Sequence, residues 1–237
     1  LLAELIGEFG NSFPKTTLFS SFARSLVKDV DPISEPDVAL LKWFDMDEKL
    51  FFLMEENIVK ERLQQGFVEN GEVNVKMFIN FSLSVQNRRK SRAGYSLENH
   101  ICALLDANGI EYSHTPVTEN RSKPDFLFPN IECYRNMDFK AENLTMLGAK
   151  STCKDRWRQV LAEADRIDRK HLLTLEAAIS TYQTDEMQDK HLQLVVPQQI
   201  HCTYTENQRK WLYSVADFLD EIKEKQRKTP YAAMLRL

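Results

Sequence analysis

Two stretches, PDFLFP (124–129) and LTMLGAKSTCKDRWRQVLAEADRI (144–167), decide how this chain folds. The first opens on proline, which a strand tolerates as its first residue, and continues as an apolar run. The second begins with the apolar run LTMLGA (144–149), which Lys150 ends. Apolar residues at helical spacing then predict a helix over 153–167, with Ser151 or Thr152 available as its cap. Three ionisable residues stand out against this pattern: Asp125, Lys150 and Glu163. Alternation places Asp125 and Leu127 on one face of the first strand and Phe126 and Phe128 on the other. Lys150, at a strand end, can reach a phosphate and orient a water. Glu163 shares a helical face with Val160 and Ile167, where an unpaired carboxylate is costly unless a metal or a lysine faces it. Asp125 and Glu163 are therefore the candidate metal ligands. Magnesium suits them, being a hard cation that takes one or two carboxylates and completes its shell with water and phosphate oxygens. Glu98, on a face with Ile101, Cys102 and Leu105, is a further candidate acid. Taken singly, each has an ordinary explanation: a strand start, a solvated strand-end lysine, a glutamate at the polar edge of a helix.

Outward from these stretches the chain alternates strands and helices. Short β-like runs are expected at 110–117, 125–128, 144–149, 171–175 and 192–196, and a last helix at about 206–225. The fold class is α/β, a mixed β-sheet flanked by helices. Before residue 90 the reading is mainly helical, broken at Phe13-Pro14, at 31–36 and at 66–71. Leu40, Leu41, Phe44, Leu50, Leu53 and Met54 form the expected core layer there. Residues 1–90 and 91–237 are thus two parts of different texture, with no linker between them.

Composition narrows the class. At 237 residues with 43% hydrophobic content, the chain can bury one substantial core or two modest ones. No apolar run approaches the roughly 18 residues that span a bilayer. The start at Leu1, without methionine or signal-peptide pattern, reads as a piece of a longer protein. Four cysteines lack CxxC spacing, which argues against zinc and for reduced thiols in a cytoplasmic protein. A net charge of -4 argues against a general polyanion binder, yet positive charge is concentrated in RRKSR (88–92) and around Lys150. That basic cluster alone fits a solvated helix end as well as a DNA contact.

Around these residues the sequence resembles the EcoRII-type restriction endonucleases, members of the PD-(D/E)xK nuclease superfamily. The resemblance is carried by SVQNRRKSRAGYSLENH (84–100), VTENRSKPDFLFP (117–129) and 144–167, with LQLVVPQQI (192–200) less specific. One departure from the superfamily motif stands out: the carboxylate expected two residues before the lysine is replaced by Gly148. In the EcoRII, SsoII and NgoMIV group that carboxylate sits on the following helix, the place Glu163 fills here. The resemblance implies Asp125, Lys150 and Glu163 as catalytic residues, Glu98 as an accessory acid, and Mg2+ as cofactor. It also implies base reading by Lys154, Asp155 and Arg156, whose chemistry suits C·G pairs. Gln86 would lie in the minor groove and Arg88, Arg89, Lys90 and Arg92 on phosphates. Tyr134 and Trp157 read as packing residues. The implied activity is a type II, site-specific deoxyribonuclease of the bacterial cytoplasm. It would act as a homodimer on double-stranded DNA at 5′-CCWGG, cutting before the first C. Residues 1–90 would supply dimer and backbone contacts, and 91–237 the nuclease core. A junction-resolving or repair nuclease and a non-catalytic DNA-binding module are the alternatives.

Overall fold

The computed structural model describes residues 1–153 and 156–228. Two compact units emerge: Leu1–Asp29 with Lys42–His100, and Val30–Leu41 with the chain from Ile101 onward.

The first unit is helical. It contains α1 (Leu2–Phe9), α2 (Thr16–Ser25), most of α3 (Pro36–Gln65) and most of α4 (Val75–Ala107), and the two-stranded ribbon of β1 (Val68–Glu69) and β2 (Glu72–Val73). Leu5, Phe19, Ala23, Leu50, Phe51 and Met54 make its core, as amphipathic helices require. Beside them a polar cluster is buried. Arg92 donates to Asp47 at 2.7 Å, and His100 Nε2 lies 3.3 Å from the other Asp47 oxygen. Burial opposes ionisation of Asp47, but its polar neighbours His100, Ser20 and Arg92 prevail and hold its carboxyl down at about 2. Beyond Glu55 the burial stops: from residue 56 to residue 91 no side chain is buried.

The second unit carries the sheet. β3 (Ser113–His114), β4 (Phe126–Phe128), β5 (Thr145–Lys150), β6 (Lys170–Thr174) and β7 (Leu192–Val195) stand in chain order. The first two pairings are antiparallel and the last two parallel, so the sheet is mixed as expected. The parallel pairs need crossovers, and α7 (Thr181–Asp189) lies in the one between β6 and β7. β4, β6 and β7 are buried throughout and β5 up to Lys150, which explains their near-continuous apolar character. Trp157, Val160, Tyr134, Phe139, Met146 and Leu172 belong to one core against the sheet. Trp157 and Tyr134 are both buried, as packing residues should be.

Three expected elements differ. The strand expected over 110–117 shortens to Ser113–His114, because Thr115 turns to a positive φ and gives its amide to the Asp125 carbonyl. The helix expected over 153–167 is a single turn among the described residues, α6 (Trp157–Val160), with Arg156 at its N-cap position, no side-chain cap hydrogen bond, and neither Ser151 nor Thr152 as the cap. Ala164 at φ 52 cannot continue a right-handed helix. The last helix divides into α8 (Glu206–Arg209) and α9 (Val215–Lys228). Between them Tyr213 pairs with the end of β7, its N–H donating to the Leu194 carbonyl and its carbonyl accepting from Val196. A short helix, α5 (Ile131–Arg135), follows β4 and is capped by the Asn130 side chain.

Candidate active site

The β4–β5 pairing sets Phe126 opposite Leu147, and one step further brings Asp125 opposite Gly148. Opposed residues of an antiparallel pair share a face, and Lys150 lies diagonally on that face. Asp125 Oδ2 accepts from Lys150 Nζ at 2.7 Å and from the Ala149 backbone N–H at 2.7 Å. The two side chains are 13% and 18% exposed, enough for a ligand to reach and dry enough for their charges to matter.

Glu163 arrives from the other side, in the turn after α6. Its neighbours Val160, Ala164 and Ile167 are buried, and they hold it inward as the apolar spacing predicts, although through a turn instead of a helix. Its Oε2 atom is buried without a hydrogen-bond partner. Burial first, and then the Asp125 charge, push its carboxyl up to about 7, while Lys150 and Lys170 pull the other way. The structure thus brings Asp125, Lys150 and Glu163 into one electrostatic unit.

The glycine at 148 has a steric reason. A Cβ there would stand 2.7 Å from Val160 Cγ2 and 3.3 Å from Cγ1. Val160 occupies the space a side chain at 148 would need, in the same segment that presents Glu163. A side chain at 148 and Val160 as placed therefore compete for the same space. Gly148→Ala should destabilise the protein by about 1–3 kcal/mol, the usual range for overpacking. Val160→Ala in the same chain should recover most of that loss. Urea unfolding checks both, and a neutral Gly148→Ala would show that the contact relaxes freely.

Two residues escape the sequence reading. Lys170, 7% exposed at the start of β6, donates to the Ile167 carbonyl at 2.6 Å and adds positive charge beside Glu163. Burial lowers its own pKa. A lysine at the start of the β-like run, KHLLT, was the available signal. Glu176, just past β6, accepts from the Cys153 amide and ties down the segment after Lys150. Nothing in its local sequence marks that role.

The other candidates are placed as follows. Lys154 and Asp155 lie outside the described residues. Arg156 is exposed and folds back on Thr152, donating to its carbonyl at 2.7 Å and its hydroxyl at 2.8 Å. Glu98 is half-buried on α4 and belongs to the first unit, as do Gln86 and the basic cluster. Gln86 and Lys90 are exposed. Arg88 lies over the Phe13 ring and Arg89 pairs with Glu55. Arg92 is 7% exposed and committed to Asp47.

Among the described residues no three His, Cys, Asp or Glu side chains cluster as a metal site. Asp125 and Glu163 nevertheless fit a hard cation. They are two oxygen donors whose charges act on one another, and Glu163 has a buried atom lacking a partner and a carboxyl that burial first, and the Asp125 charge second, push up. Two carboxylates with water and phosphate oxygens are an ordinary magnesium set.

Residues 51–219 match the family described as EcoRII C terminal. The type II restriction enzyme EcoRII of Escherichia coli is 42% identical over 189 residues, which cover 79% of this chain and 46% of that enzyme. The chain therefore spans about half the length of that relative. Its fold is similar to metal-depleted Ecl18kI in complex with uncleaved, modified DNA, with a TM-score of 0.74 and 20% identity, covering 96% of this chain and 84% of that one. It is also similar to PspGI in a substrate DNA complex, with a TM-score of 0.73 and 16% identity, covering 91% and 94%.

Proposed function

The chain belongs to the EcoRII C-terminal family, and from that premise we propose that it is the nuclease part of a type II restriction endonuclease. It hydrolyses double-stranded DNA at 5′-CCWGG, before the first C, in the bacterial cytoplasm. The observation that carries this reading is the pairing of Lys150 with Asp125 at 2.7 Å beside the partnerless, buried oxygen of Glu163.

Asp125 and Glu163 would hold Mg2+, which supplies a lowered water pKa and a positive charge against the developing phosphorane. The chain's own groups do the remainder. The Ala149 amide and Lys150 fix the Asp125 carboxylate in one orientation. The Lys150 ammonium stands where it can donate to a phosphate oxygen and steady the water that adds to phosphorus as the bond to the 3′ oxygen breaks. Burial keeps Glu163 away from bulk water, which strengthens its hold on a cation. Glu98 is the accessory acid in this reading.

Sequence would be read by Lys154, Asp155 and Arg156 on the C·G pairs of each half-site and by Gln86 in the minor groove. Arg88 and Arg89 would face phosphates, and Arg92 supports the helix from inside. A two-fold target calls for two copies of the chain, one active site per strand.

Digestion of a plasmid with mapped CCWGG sites tests the reading. Discrete fragments ending at those sites, in magnesium and not in EDTA, are expected. Preference for branched DNA over a CCWGG duplex would replace it with a junction-resolving or repair activity. Site-selective binding without cleavage would leave a recognition module.

A further inference from the structure

Residues 151–156 join Lys150, at the end of β5, to Trp157, the first residue of α6. Both ends are fixed. Lys150 pairs with Asp125, and Trp157 is fully buried in the core of the second unit. Between them, Arg156 bonds back into the segment. Its N–H donates to the Cys153 carbonyl at 2.9 Å, and its guanidinium donates to the Thr152 carbonyl. Such bonds shape a segment without tying it to the sheet. Glu176 supplies a tie. Its Oε2 atom accepts from the Cys153 N–H, and Cys153 is buried, where an amide needs a partner.

Glu176 is itself held in place. β5 and β6 run parallel and end level, with Lys150 beside Thr174. Two residues on, the Glu176 N–H donates to the Thr174 hydroxyl at 3.2 Å, and its carbonyl accepts from the Tyr204 hydroxyl at 2.6 Å. Thr174 and Tyr204 are both buried. The backbone of Glu176 is thus fixed from two sides, and its half-buried carboxylate reaches across the strand ends to one amide. That amide is three residues past Lys150 and one before Lys154. A carboxylate is also a stronger acceptor for it than a neutral oxygen.

We propose that Glu176 is a positioning residue for specificity: through the Cys153 amide it fixes where the chain enters the base-reading stretch 154–156 relative to Lys150. The residues that read and the residue that acts on the phosphate then keep one register. This rests on the reading of Lys154, Asp155 and Arg156 given above. Hydrogen bonds to base edges demand placement within roughly 0.5 Å, which a connection anchored at its ends alone does not hold. The Asp125–Lys150 pair has no such need, because the Ala149 amide and the end of β5 already set it. Loss of the Glu176 carboxylate should therefore appear in discrimination between sites and not in the chemistry.

Cleavage kinetics of the whole chain test it. Wild type, Glu176→Ala, Glu176→Gln and Tyr204→Phe are compared on a CCWGG duplex and on duplexes with one C·G pair replaced, with thermal melts confirming that each is folded. Glu176→Ala should lower the kcat/KM ratio between the two duplexes by about 10-fold or more, the scale of one base contact, while the saturating single-turnover rate on CCWGG stays within about three-fold. Glutamine keeps an oxygen in the same place and should restore most of the ratio. Tyr204→Phe releases the Glu176 carbonyl but spares its carboxylate, and should lower the ratio less. Hydrogen exchange of the DNA-free chain reports the anchor separately: amides of 151–156 should exchange about 10-fold or more faster in Glu176→Ala and near wild-type rates in Glu176→Gln. Equal losses on both duplexes, or a fall in saturating rate with the ratio intact, overturn the proposal. So does Glu176→Gln as poor as Glu176→Ala. Where alanine does not fold, an unchanged ratio in Tyr204→Phe overturns it as well. Faster exchange in a chain that selects no CCWGG duplex keeps the anchor and removes the base-reading assignment. Selection of CCWGG that ignores Glu176 does the reverse.

Discussion

Lys150→Ala should lower the single-turnover cleavage rate by about 10²–10³-fold or more, the usual cost of removing one charge aimed at a transition state. Affinity for the same duplex, measured by gel shift in calcium, should change little. The expectation follows from placement. Lys150 ends β5 on the face shared with Asp125, and its ammonium meets Oδ2 at 2.7 Å, so the carboxylate and the cation form one preset unit. Alanine removes the donor to the phosphate but leaves Asp125 its second partner, the Ala149 amide at 2.7 Å, so the fold should survive. Lys150→Arg should not restore the rate. A planar guanidinium would turn to bidentate contact with the carboxylate and lose the compact point charge that reaches the water. A parallel fall in binding and cleavage would instead make Lys150 a binding residue, and an unchanged rate would remove it from the chemistry.

Much of the unit that holds this pair is legible from residue types. The runs 125–128, 144–149, 171–175 and 192–196 fall within a residue or two of β4, β5, β6 and β7 because each strand is buried on both faces and has no polar alternation to confuse it. Asp125 and Lys150 are conspicuous for the same reason, as charges at the ends of apolar runs. The breaks are illegible. Ala164 takes a left-handed φ with neither glycine nor proline to announce it, so the periodicity from Val160 to Ile167 reads as a helix that is not there. The inward face of Glu163 survives that error, since burial of Val160, Ala164 and Ile167 holds through the turn. Tyr213 is drawn out of the final helix by a strand distant in sequence, which no local pattern reports. Gly148 looks like a motif lost, and only the 2.7 Å approach of Val160 shows a side-chain volume already filled. In the other unit, Phe44, Leu50 and Met54 of α3 are buried as their spacing predicts, although Phe52 between them is 44% exposed, whereas the apolar residues between 56 and 91 are at most half-buried. Periodicity identifies an apolar face; it does not say whether the same chain covers it.

Glu163→Gln should divide function from stability. Cleavage in magnesium should fall by about 10²-fold or more, because a neutral amide replaces one of two anionic ligands. The metal-free protein should become more stable at pH 8, by a Tm rise of about 3 °C, which corresponds to roughly 1 kcal/mol in a chain of this size. The sign follows from the carboxyl, whose value rises from the ordinary 4.5 to about 7 in the fold. Between those two values the folded chain keeps a proton that the unfolded chain has released, so stability falls as pH rises through that window and levels off above it. Glutamine has no proton to lose and should flatten this part of the pH profile. Scanning calorimetry of both proteins in EDTA from pH 5 to pH 8 measures the difference. Added magnesium should stabilise the wild type more strongly as pH rises, since the cation needs the ionised form, and should stabilise the glutamine variant less. Asp125 and its two hydrogen bonds are common to both proteins, so a difference between the profiles reports Glu163 itself. Identical profiles would mean that Glu163 is solvated and not the second ligand. A profile that rises with pH in the wild type would mean that the lysines outweigh burial and Asp125, and that the site is already neutralised before any cation arrives.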